Sequence, residues 1–325
     1  MERAVKTVVG IDGGGSRTRA VVADASGAIL GAASGPSINP RHHDGATIAD
    51  RLADLVRRVR PAGASLSAAF LSLGGVSTRA DAAAVEAVAA RVEGLHAVPV
   101  LVDNDARAAL VGGLAGRPGM VLIAGTGSAC LGVAADGRRH WCGGWEHLAD
   151  DAGSAYWIAV EAIRVAVRVE DGRLPPSALR DLVFDRWPLA EPRALAERLS
   201  RPDLDRASLA IMAPDVIALA AADILARSIV ERAAIHLARL VEVTASRLFE
   251  PEPSELILTG GLARSGPPFT PFLVSDIQVV APGVRIVEPE LPPVLGAVIE
   301  AARMAGVETS AAYLERLRGQ PVDFS

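Results

Sequence analysis

The stretch that decides the fold is residues 9–22, VGIDGGGSRTRAVV, in which three consecutive glycines separate two apolar runs. The run from Val5 to Ile11 predicts a buried strand, and the glycines after it predict a tight turn. Further strands are expected from Thr18 to Ala23 and from Ala28 to Ala33. The chain therefore opens on antiparallel strands joined by short turns.

The same unit returns 112 residues later, where residues 121–128 read VLIAGTGS. At this offset several residues match their counterparts: Val9 and Val121, Ile11 and Ile123, Gly13 and Gly125, Gly15 and Gly127, Ser16 and Ser128, Asp24 and Asp136. Such a repeat, in a chain of 325 residues, predicts two related domains. We place them at residues 1–117 and 118–325, with the final helix a candidate to pack back on the first.

Composition limits the classes of function. Half of the residues are apolar, 22% are charged and the net charge is -5, a balance typical of soluble globular proteins. No block of Lys or Arg suggests a nucleic-acid or membrane partner. Two cysteines, Cys130 and Cys142, fit a reducing compartment, and the opening residues have no apolar leader. We therefore expect a cytoplasmic protein.

The glycine-rich turn after the first strand is a candidate phosphate site. Glycines let backbone N–H groups approach a phosphate without hindrance from a Cβ atom. A carboxylate at the end of the strand can hold Mg²⁺, directly or through water. The metal role falls on Asp12, and the phosphate role falls on Gly13, Gly14, Gly15 and Ser16. The alternative is a plain hairpin turn.

Two further glycine segments follow predicted strands. Gly125-Thr126-Gly127-Ser128 repeats the first turn and adds hydroxyl groups that can bond to phosphate oxygens. Residues 259–265, TGGLARS, place a glycine pair after a buried strand, where a flat ring or a ribose can lie against the backbone. For this last segment the alternative is a simple strand-to-helix turn.

Asp103-Asn104-Asp105 follows the predicted strand from Val98 to Val102. Carboxylates at the carboxyl end of a strand lie where α/β sheets bind ligands, and either Asp can accept a proton from a hydroxyl nucleophile. Helix capping is the alternative, since Asp and Asn are favoured there. We assign Asp103 as a cap or Mg²⁺ partner and Asp105 as the base.

Residues 142–154, CGGWEHLADDAGS, combine glycines, a Trp, a His and acids in one loop. A Trp beside a glycine pair suits the face of a sugar, and Asp suits sugar hydroxyls. The alternative is a loop that a Trp merely anchors.

Taken together these segments resemble the N-acetylglucosamine kinases and the wider family that includes the benzoyl-CoA reductase-activating ATPases. The matching runs are GIDGGGSRTRAVV, SINP, LSLGG, NDA, VLIAGTGSAC, CGGWEHLADDAGSAYWIA and LTGGLARS. The resemblance implies an α/β fold of two duplicated ribonuclease H-like domains, of the actin/hexokinase type, with an ATP cleft between them.

The resemblance also implies residue roles. Asp105 would be the catalytic base and a sugar contact. The ATP contacts would be Gly13, Gly14, Gly15, Ser16, Thr126, Gly127, Gly260, Gly261 and Ser265. The sugar contacts would be Asn39, Asp105, Ser128, Ala129, Gly144, Trp145, Glu146 and Asp151. Asp12 and Asp103 would serve the metal.

We therefore expect an ATP- and Mg²⁺-dependent kinase, a homodimer, that phosphorylates the 6-hydroxyl of N-acetylglucosamine or a close relative. Glucosamine and N-acetylmuramic acid are alternative substrates, and alternatives of another class are a reductase-activating ATPase and a non-catalytic sugar sensor. Two positions depart from the family pattern, because Ala129 replaces an Asn and Glu146 replaces a Gly. We hypothesise that the added charge of Glu146 favours a free amine, as in glucosamine.

Overall fold

The computed structural model describes residues 6–324, so Val5 and the opening residues before it lie outside the described part. In this range the strands are β1 (Thr7–Gly13), β2 (Arg17–Asp24), β3 (Ile29–Pro36), β4 (Leu66–Leu73), β5 (Val100–Asn104), β6 (Gly119–Ala124), β7 (Ser128–Val133), β8 (Arg139–Gly143), β9 (Ser254–Thr259) and β10 (Val284–Ile286). The helices are α1 (Gly45–Val59), α2 (Arg79–Ala89), α3 (Asp105–Gly113), α4 (Ala155–Glu170), α5 (Leu179–Phe184), α6 (Ala194–Leu199), α7 (Arg206–Ala210), α8 (Ala213–Leu219), α9 (Ile224–Leu248), α10 (Phe269–Val280), α11 (Pro293–Met304) and α12 (Ala311–Arg318). One 3-10 turn, Leu262–Arg264, follows β9.

Contacts divide the described chain into two units, one of residues 6–117 and 288–324 and the other of residues 118–287. The stretch after residue 287, which the sequence analysis placed in the second domain, packs within the first unit. Its helices α11 and α12 contribute Val298, Tyr313 and Leu317 to a cluster that includes Phe70 of β4.

Each unit contains one five-stranded mixed sheet, and the two sheets share one topology. The strand order is β3-β2-β1-β4-β5 in the first unit and β8-β7-β6-β9-β10 in the second. In both, the central strand is antiparallel to the strand that follows it and parallel to its other neighbour. The offset of 112 residues places β1 on β6, so the internal repeat corresponds to a duplicated α/β unit.

The sheet of the first unit is covered on both faces. Successive strand residues point to opposite faces, so Val9 and Ile11 of β1 pack towards α1 while Val8 packs towards α11. Leu52 of α1 and Val298 of α11 are both fully buried. The strand read from the sequence as uniformly apolar is therefore a central strand between two helical layers.

The second unit is richer in helices. Residues 179–219 fold into the short helices α5 to α8, and α10 follows the third glycine segment. The helices α8 and α9 are separate, because Asp223 caps α9 by accepting hydrogen bonds from the N–H groups of Leu225 and Ala226 at 2.9 and 3.0 Å. Within residues 6–324 no single helix is long and apolar enough to cross a membrane, although the bent pair Arg206–Leu219 and Ile224–Leu248 has the length and composition to do so.

The close approach of α11 in the first unit depends on glycine. A Cβ atom on Gly296 of α11 would overlap the carbonyl oxygen of Ala108 in α3, and one on Gly10 of β1 would overlap the backbone of Val298. These glycines let α11 rest directly on the central strand and on the helix that begins at Asp105.

We expect Gly296→Ala to lower the free energy of unfolding by about 2 kcal/mol, because the added methyl group must push α3 and α11 apart. Gly283→Ala is the matched control, since a Cβ atom there meets no atom within 4 Å. Urea denaturation measures both. An equal loss in the two variants would contradict the close packing of α3 and α11.

Candidate functional site

The first glycine loop is a hairpin turn that leaves backbone donors exposed. The Gly14 N–H donates to the carbonyl of Arg17 at 2.9 Å, which closes the turn. Gly15 and Ser16 are exposed, and within residues 6–324 their N–H groups donate to no acceptor. The hairpin and phosphate interpretations are therefore compatible, because the turn itself presents the donors.

The loop is held from two other segments of the first unit. The Gly74 N–H, just after β4, donates to the Gly13 carbonyl at 2.8 Å. The Ser37 hydroxyl, after β3, donates to the Gly14 carbonyl at 2.8 Å. These bonds fix the position of the loop relative to the carboxyl ends of β1 and β4.

Asp105 is the first residue of α3, and its neighbour Asn104 is the cap. The Asn104 side chain accepts a hydrogen bond from the Ala106 N–H at 3.0 Å. Of the three residues Asp103-Asn104-Asp105, Asn104 is therefore the one that caps the helix. The Asp105 carboxylate is left for another role.

Asp105 and Asn39 lie against the same glycine. A Cβ atom on Gly74 would stand 3.2 Å from Oδ2 of Asp105 and 3.7 Å from Nδ2 of Asn39. Asn39 is buried, and its Oδ1 accepts from the Arg41 N–H at 2.9 Å. Gly75 adopts φ +88, and a Cβ atom there would overlap Oδ1 of Asn39. The two predicted sugar contacts of the first unit are thus brought together.

Burial raises the pKa of two candidate site carboxyls in the first unit, those of Asp105 and Asp12. Burial raises the pKa of Asp105, against hydrogen bonds to backbone N–H groups that act to lower it. Burial and then the negative charge of Asp105 raise the pKa of Asp12 to about 6, while Arg19 acts to lower it. The charge of the predicted base, Asp105, therefore acts on the predicted metal carboxylate, Asp12.

Asp103 lies apart from Asp12. The strand register pairs Asp12 with Ser72 and Ser72 with Asp103, so two strand spacings, about 10 Å, separate the two acidic residues along the sheet. Oδ1 of Asp103 accepts from the Asn104 N–H at 2.8 Å. In the described part of the chain, no three His, Cys, Asp or Glu side chains group as a metal site.

The second glycine loop is anchored by the helix that follows it. The Gly125 N–H donates to the Gly127 carbonyl at 3.0 Å, and the Ala155 N–H at the start of α4 donates to the Gly125 carbonyl at 2.8 Å. Thr126 is exposed at the tip.

The third glycine segment lies beside the second loop. Gly260 adopts φ +98, and a Cβ atom there would overlap the carbonyl of Ala124 at the end of β6. Gly261 and Ser265 are exposed, and the Ser265 hydroxyl donates to the Leu262 carbonyl at 2.8 Å. The structure therefore brings the glycines that were predicted to bind ATP in the second unit to one edge of its sheet.

The loop after β8 carries the remaining predicted sugar contacts. The Gly144 N–H donates to the Ser128 carbonyl at 2.9 Å, and a Cβ atom on Gly144 would lie 3.3 Å from that of Ala129. The Trp145 side chain is 74% exposed. Gly144 therefore lies beside Ser128 and Ala129, and Trp145, the next residue, is open to solvent.

Asp151 joins this loop to the second glycine loop. It is buried, and its Oδ1 accepts from the Ser128 N–H at 3.1 Å. Its Oδ2 is bound by the guanidinium of Arg206, which also binds the Glu146 carboxylate. Burial raises the pKa of Asp151, the Ser128 hydrogen bond and Arg206 act to lower it, and Glu146 acts to raise it.

Sequence reasoning missed Arg206. It lies 60 residues from Glu146 and 55 from Asp151 along the chain, at the start of the short helix α7. Its pairing with Glu146 partly offsets the negative charge on which the free-amine hypothesis depends, and that hypothesis stays a prediction.

We expect Asp12→Asn to raise the free energy of unfolding at pH 8 by about 2 kcal/mol, because it removes a carboxylate whose folded-state pKa is raised to about 6. The folded state holds a proton between about pH 4 and 6 that the unfolded chain has lost, so this residue's contribution to stability falls as the pH rises through that window. The gain should disappear at pH 4 in urea denaturation curves.

Asp24→Asn is a control of opposite sign. Although burial acts to raise the pKa of Asp24, hydrogen bonds from Ser26 and Ala28 outweigh it and hold that pKa below its usual value. This variant should therefore lose stability at pH 8. A loss for Asp12→Asn as well would contradict an unfavourable buried charge at Asp12.

Curated relatives of this chain are sugar kinases. An N-acetylmuramic acid/N-acetylglucosamine kinase of Clostridium acetobutylicum is 28% identical over 263 residues, which cover 79% of this chain and 85% of the relative. A glucosamine kinase of Vibrio cholerae is 30% identical over 181 residues, which cover 55% of this chain and 60% of the relative.

The fold has a close structural match. The structure of a candidate N-acetylglucosamine kinase from Chromobacterium violaceum superposes with a TM-score of 0.71 at 24% identity, covering 91% of this chain and 99% of that one. The likeness confirms the predicted α/β ATPase fold of the actin/hexokinase type. A model of the BadF/BadG/BcrA/BcrD ATPase family matches residues 9–301, and the chain belongs to that family.

Proposed function

We propose that this chain is an ATP-dependent amino-sugar kinase that phosphorylates the 6-hydroxyl of N-acetylglucosamine or a close relative. The observation that carries the proposal is the half-buried Asp105, whose carboxylate lies against Gly74 together with Asn39. The named activities of its curated relatives, kinases of N-acetylmuramic acid, N-acetylglucosamine and glucosamine, support the same reaction class.

Asp105 is the proposed base. As the sugar oxygen bonds to the terminal phosphorus of ATP, the bond from that phosphorus to its bridging oxygen would break and ADP would leave, while the hydroxyl proton would pass to a carboxylate oxygen of Asp105. Burial raises the pKa of this carboxyl, so it accepts a proton more readily than an exposed Asp would. Asn39 is placed to hold the sugar beside it.

The exposed glycine loops are the proposed phosphate contacts. In the first unit, the N–H groups of Gly15 and Ser16 would donate to phosphate oxygens, with Gly13 and Gly14 forming the turn that presents them. In the second unit, Thr126 and Gly127 would contact the phosphates. The close packing of Gly260 on β6 would leave Gly261 and Ser265 to face the adenosine.

Asp12 is the proposed Mg²⁺ carboxylate. Burial and the charge of Asp105 raise its pKa to about 6, and a bound cation would favour the charged carboxylate. Mg²⁺ takes one or two carboxylates together with substrate phosphates, and it would neutralise charge on those phosphates. The separation of Asp103 along the sheet supports Asp12 alone as a direct ligand.

The proposed sugar contacts of the second unit surround the loop after β8. They are Ser128, Ala129, Gly144, Trp145, Glu146 and Asp151. Trp145 offers an exposed aromatic face to a sugar ring, and the carboxylate of Asp151 suits a sugar hydroxyl.

The reductase-activating ATPases are the rival of another class, and their iron–sulfur cluster would require thiolate ligands. Cys130 is fully buried opposite Cys142 on β7 and β8, and burial raises the pKa of its thiol to about 12. A thiol in this environment is poorly suited to ligate a cluster. The intact Asp105 and glycine loops argue against a non-catalytic sugar sensor.

We also propose that the protein is a cytoplasmic homodimer. The sparing use of cysteine supports the compartment, and the resemblance to the sugar kinases supports the dimer. Light scattering during size-exclusion chromatography tests the dimer, which should show twice the mass of one chain.

A coupled assay of ADP release, run over amino sugars and their acyl derivatives, tests the function. We expect ADP release that depends on the sugar and is greatest with N-acetylglucosamine, glucosamine or N-acetylmuramic acid. ADP release at one rate with and without every sugar would overturn the proposal.

Asp105→Asn should lower kcat at least about 100-fold, because the amide cannot accept the hydroxyl proton. ATP binding, measured by calorimetry, should stay within about threefold. Asp103→Asn is the matched control, two residues away on the same segment, and should lose less than about tenfold in kcat. Near-normal kcat for Asp105→Asn would refute the assignment of the base.

A further inference from the structure

Arg19 of β2 lies beside the proposed Mg²⁺ carboxylate of the first unit. The register of the two strands places Arg19 directly opposite Asp12, and the side chains of such a pair leave the same face of the sheet with Cβ atoms about 5 Å apart. The positive charge of Arg19 acts to lower the pKa of Asp12. A guanidinium therefore stands next to this carboxylate, shortly after the first glycine loop.

The guanidinium of Arg19 is held by a ring and not by an acceptor. Within residues 6–324 it makes no hydrogen bond and no ion pair, and its Cζ lies 5.3 Å from the centroid of the Phe324 ring. A cation–π contact of this kind orients a guanidinium and leaves its N–H groups free to donate. An anionic group with several oxygens is the ligand that such a planar fork binds most strongly.

Phe324 belongs to a segment that packs back on the same sheet. Gln320 fixes the start of this segment, because its Oε1 accepts from the Ile29 N–H at 2.9 Å and its Nε2 donates to the Gly27 carbonyl at 2.9 Å. Further along, the Ser34 hydroxyl donates to the Phe324 carbonyl at 3.3 Å. The segment from Gln320 to Phe324, which we call the strap, therefore follows β3.

The strap also has apolar anchors. Val322 and Phe324 are half-buried and pack against the cluster that holds α11 and α12 on the sheet. Arg19, Val21 and Ala23 share one face of β2, since side chains alternate along a strand, and the two apolar residues are buried in that cluster. Arg19 is therefore the next residue on this face towards the glycine loop, and Phe324 joins it to the cluster.

We propose that Phe324 is a positioning residue of the nucleotide site, which holds the Arg19 guanidinium beside the first glycine loop for a phosphate group of ATP. This inference rests on the nucleotide part of the proposed function. The N–H groups of Gly15 and Ser16 would donate to the phosphate from the loop, and Arg19 adds a charged fork from β2. Phe324 acts through Arg19, because a long side chain that is oriented before binding loses less conformational entropy when the ligand arrives.

The first test measures the Kd of ATP with Mg²⁺ by calorimetry, in the absence of sugar. Phe324→Ala should raise that Kd at least about fivefold, because Arg19 loses the contact that orients it. Phe324→Tyr keeps the ring and should stay within about twofold of the wild type. Phe324→Leu keeps only apolar packing and should weaken binding as Phe324→Ala does.

Val322→Ala is the matched control for the strap. Val322 packs against the same cluster, while the cation–π contact of Arg19 is with Phe324. The Kd of ATP should therefore stay at the wild-type value in this variant. Urea denaturation of each variant shows that the protein measured is folded.

The second test asks whether Phe324 acts through Arg19. Arg19→Gln alone should raise the Kd of ATP at least about tenfold, because the phosphate loses a charged partner. Adding Phe324→Ala to Arg19→Gln should then change the Kd less than about twofold, since residues that act as one unit do not add their effects.

A wild-type Kd in Phe324→Ala or in Phe324→Leu would overturn the inference, because the strap would then only stabilise the fold. Losses that add in the double variant would overturn it as well. A failure of the kinase function is visible separately. ADP release at one rate with and without every sugar would refute sugar phosphorylation, while the role of Phe324 would still be decided by the Kd of ATP.

Discussion

The partial burial of Asp105 is the constraint on which the site of the first unit depends. A carboxylate can lie there because Gly74 carries no side chain, and Asn104 takes over the capping of α3. Burial then raises the pKa of Asp105, and its charge raises the pKa of Asp12. Burial therefore raises the pKa of the proposed base, Asp105, and of the proposed cation ligand, Asp12.

The second unit also holds an acidic residue away from water, but with different contacts. Its acid, Asp151, is buried and lies against Gly127, and it is held by a guanidinium and a backbone N–H. The strained φ values of Glu146 and Asp151 are compatible with a stable fold because Arg206 binds both side chains. Duplication thus preserved the strand order of the sheet, while the residues that hold each acid differ.

Local patterns in the sequence were enough for the strands and the glycine loops. The second strand was predicted at Thr18–Ala23 and β2 is found at Arg17–Asp24, since an apolar run that follows a glycine turn favours a hairpin. α10 was not predicted, because its flanking and early prolines indicate a break, although Pro271 lies in the first turn, where proline is tolerated. No shift in composition marks residue 287, so the return of α11 to the first unit could not be read from the sequence.

In the candidate site, too, the sequence predicted only the residues that lie in local motifs. Asn39, Asp105, Ser128 and Asp151 were named from motifs, and the structure places them beside the glycines that shape their surroundings. Arg206 was missed because its partners lie 55 and 60 residues away, and a long-range ion pair leaves no local pattern. The free-amine hypothesis for Glu146 was made without knowledge of that ion pair and stays a prediction.

The most direct test of the central claim, that this chain transfers phosphate to a sugar, is phosphorus NMR of a reaction with ATP and N-acetylglucosamine. We expect ADP and a sugar 6-phosphate to appear in equal amounts as ATP disappears. Inorganic phosphate formed at the same rate with and without the sugar, and no phosphorylated sugar, would contradict it.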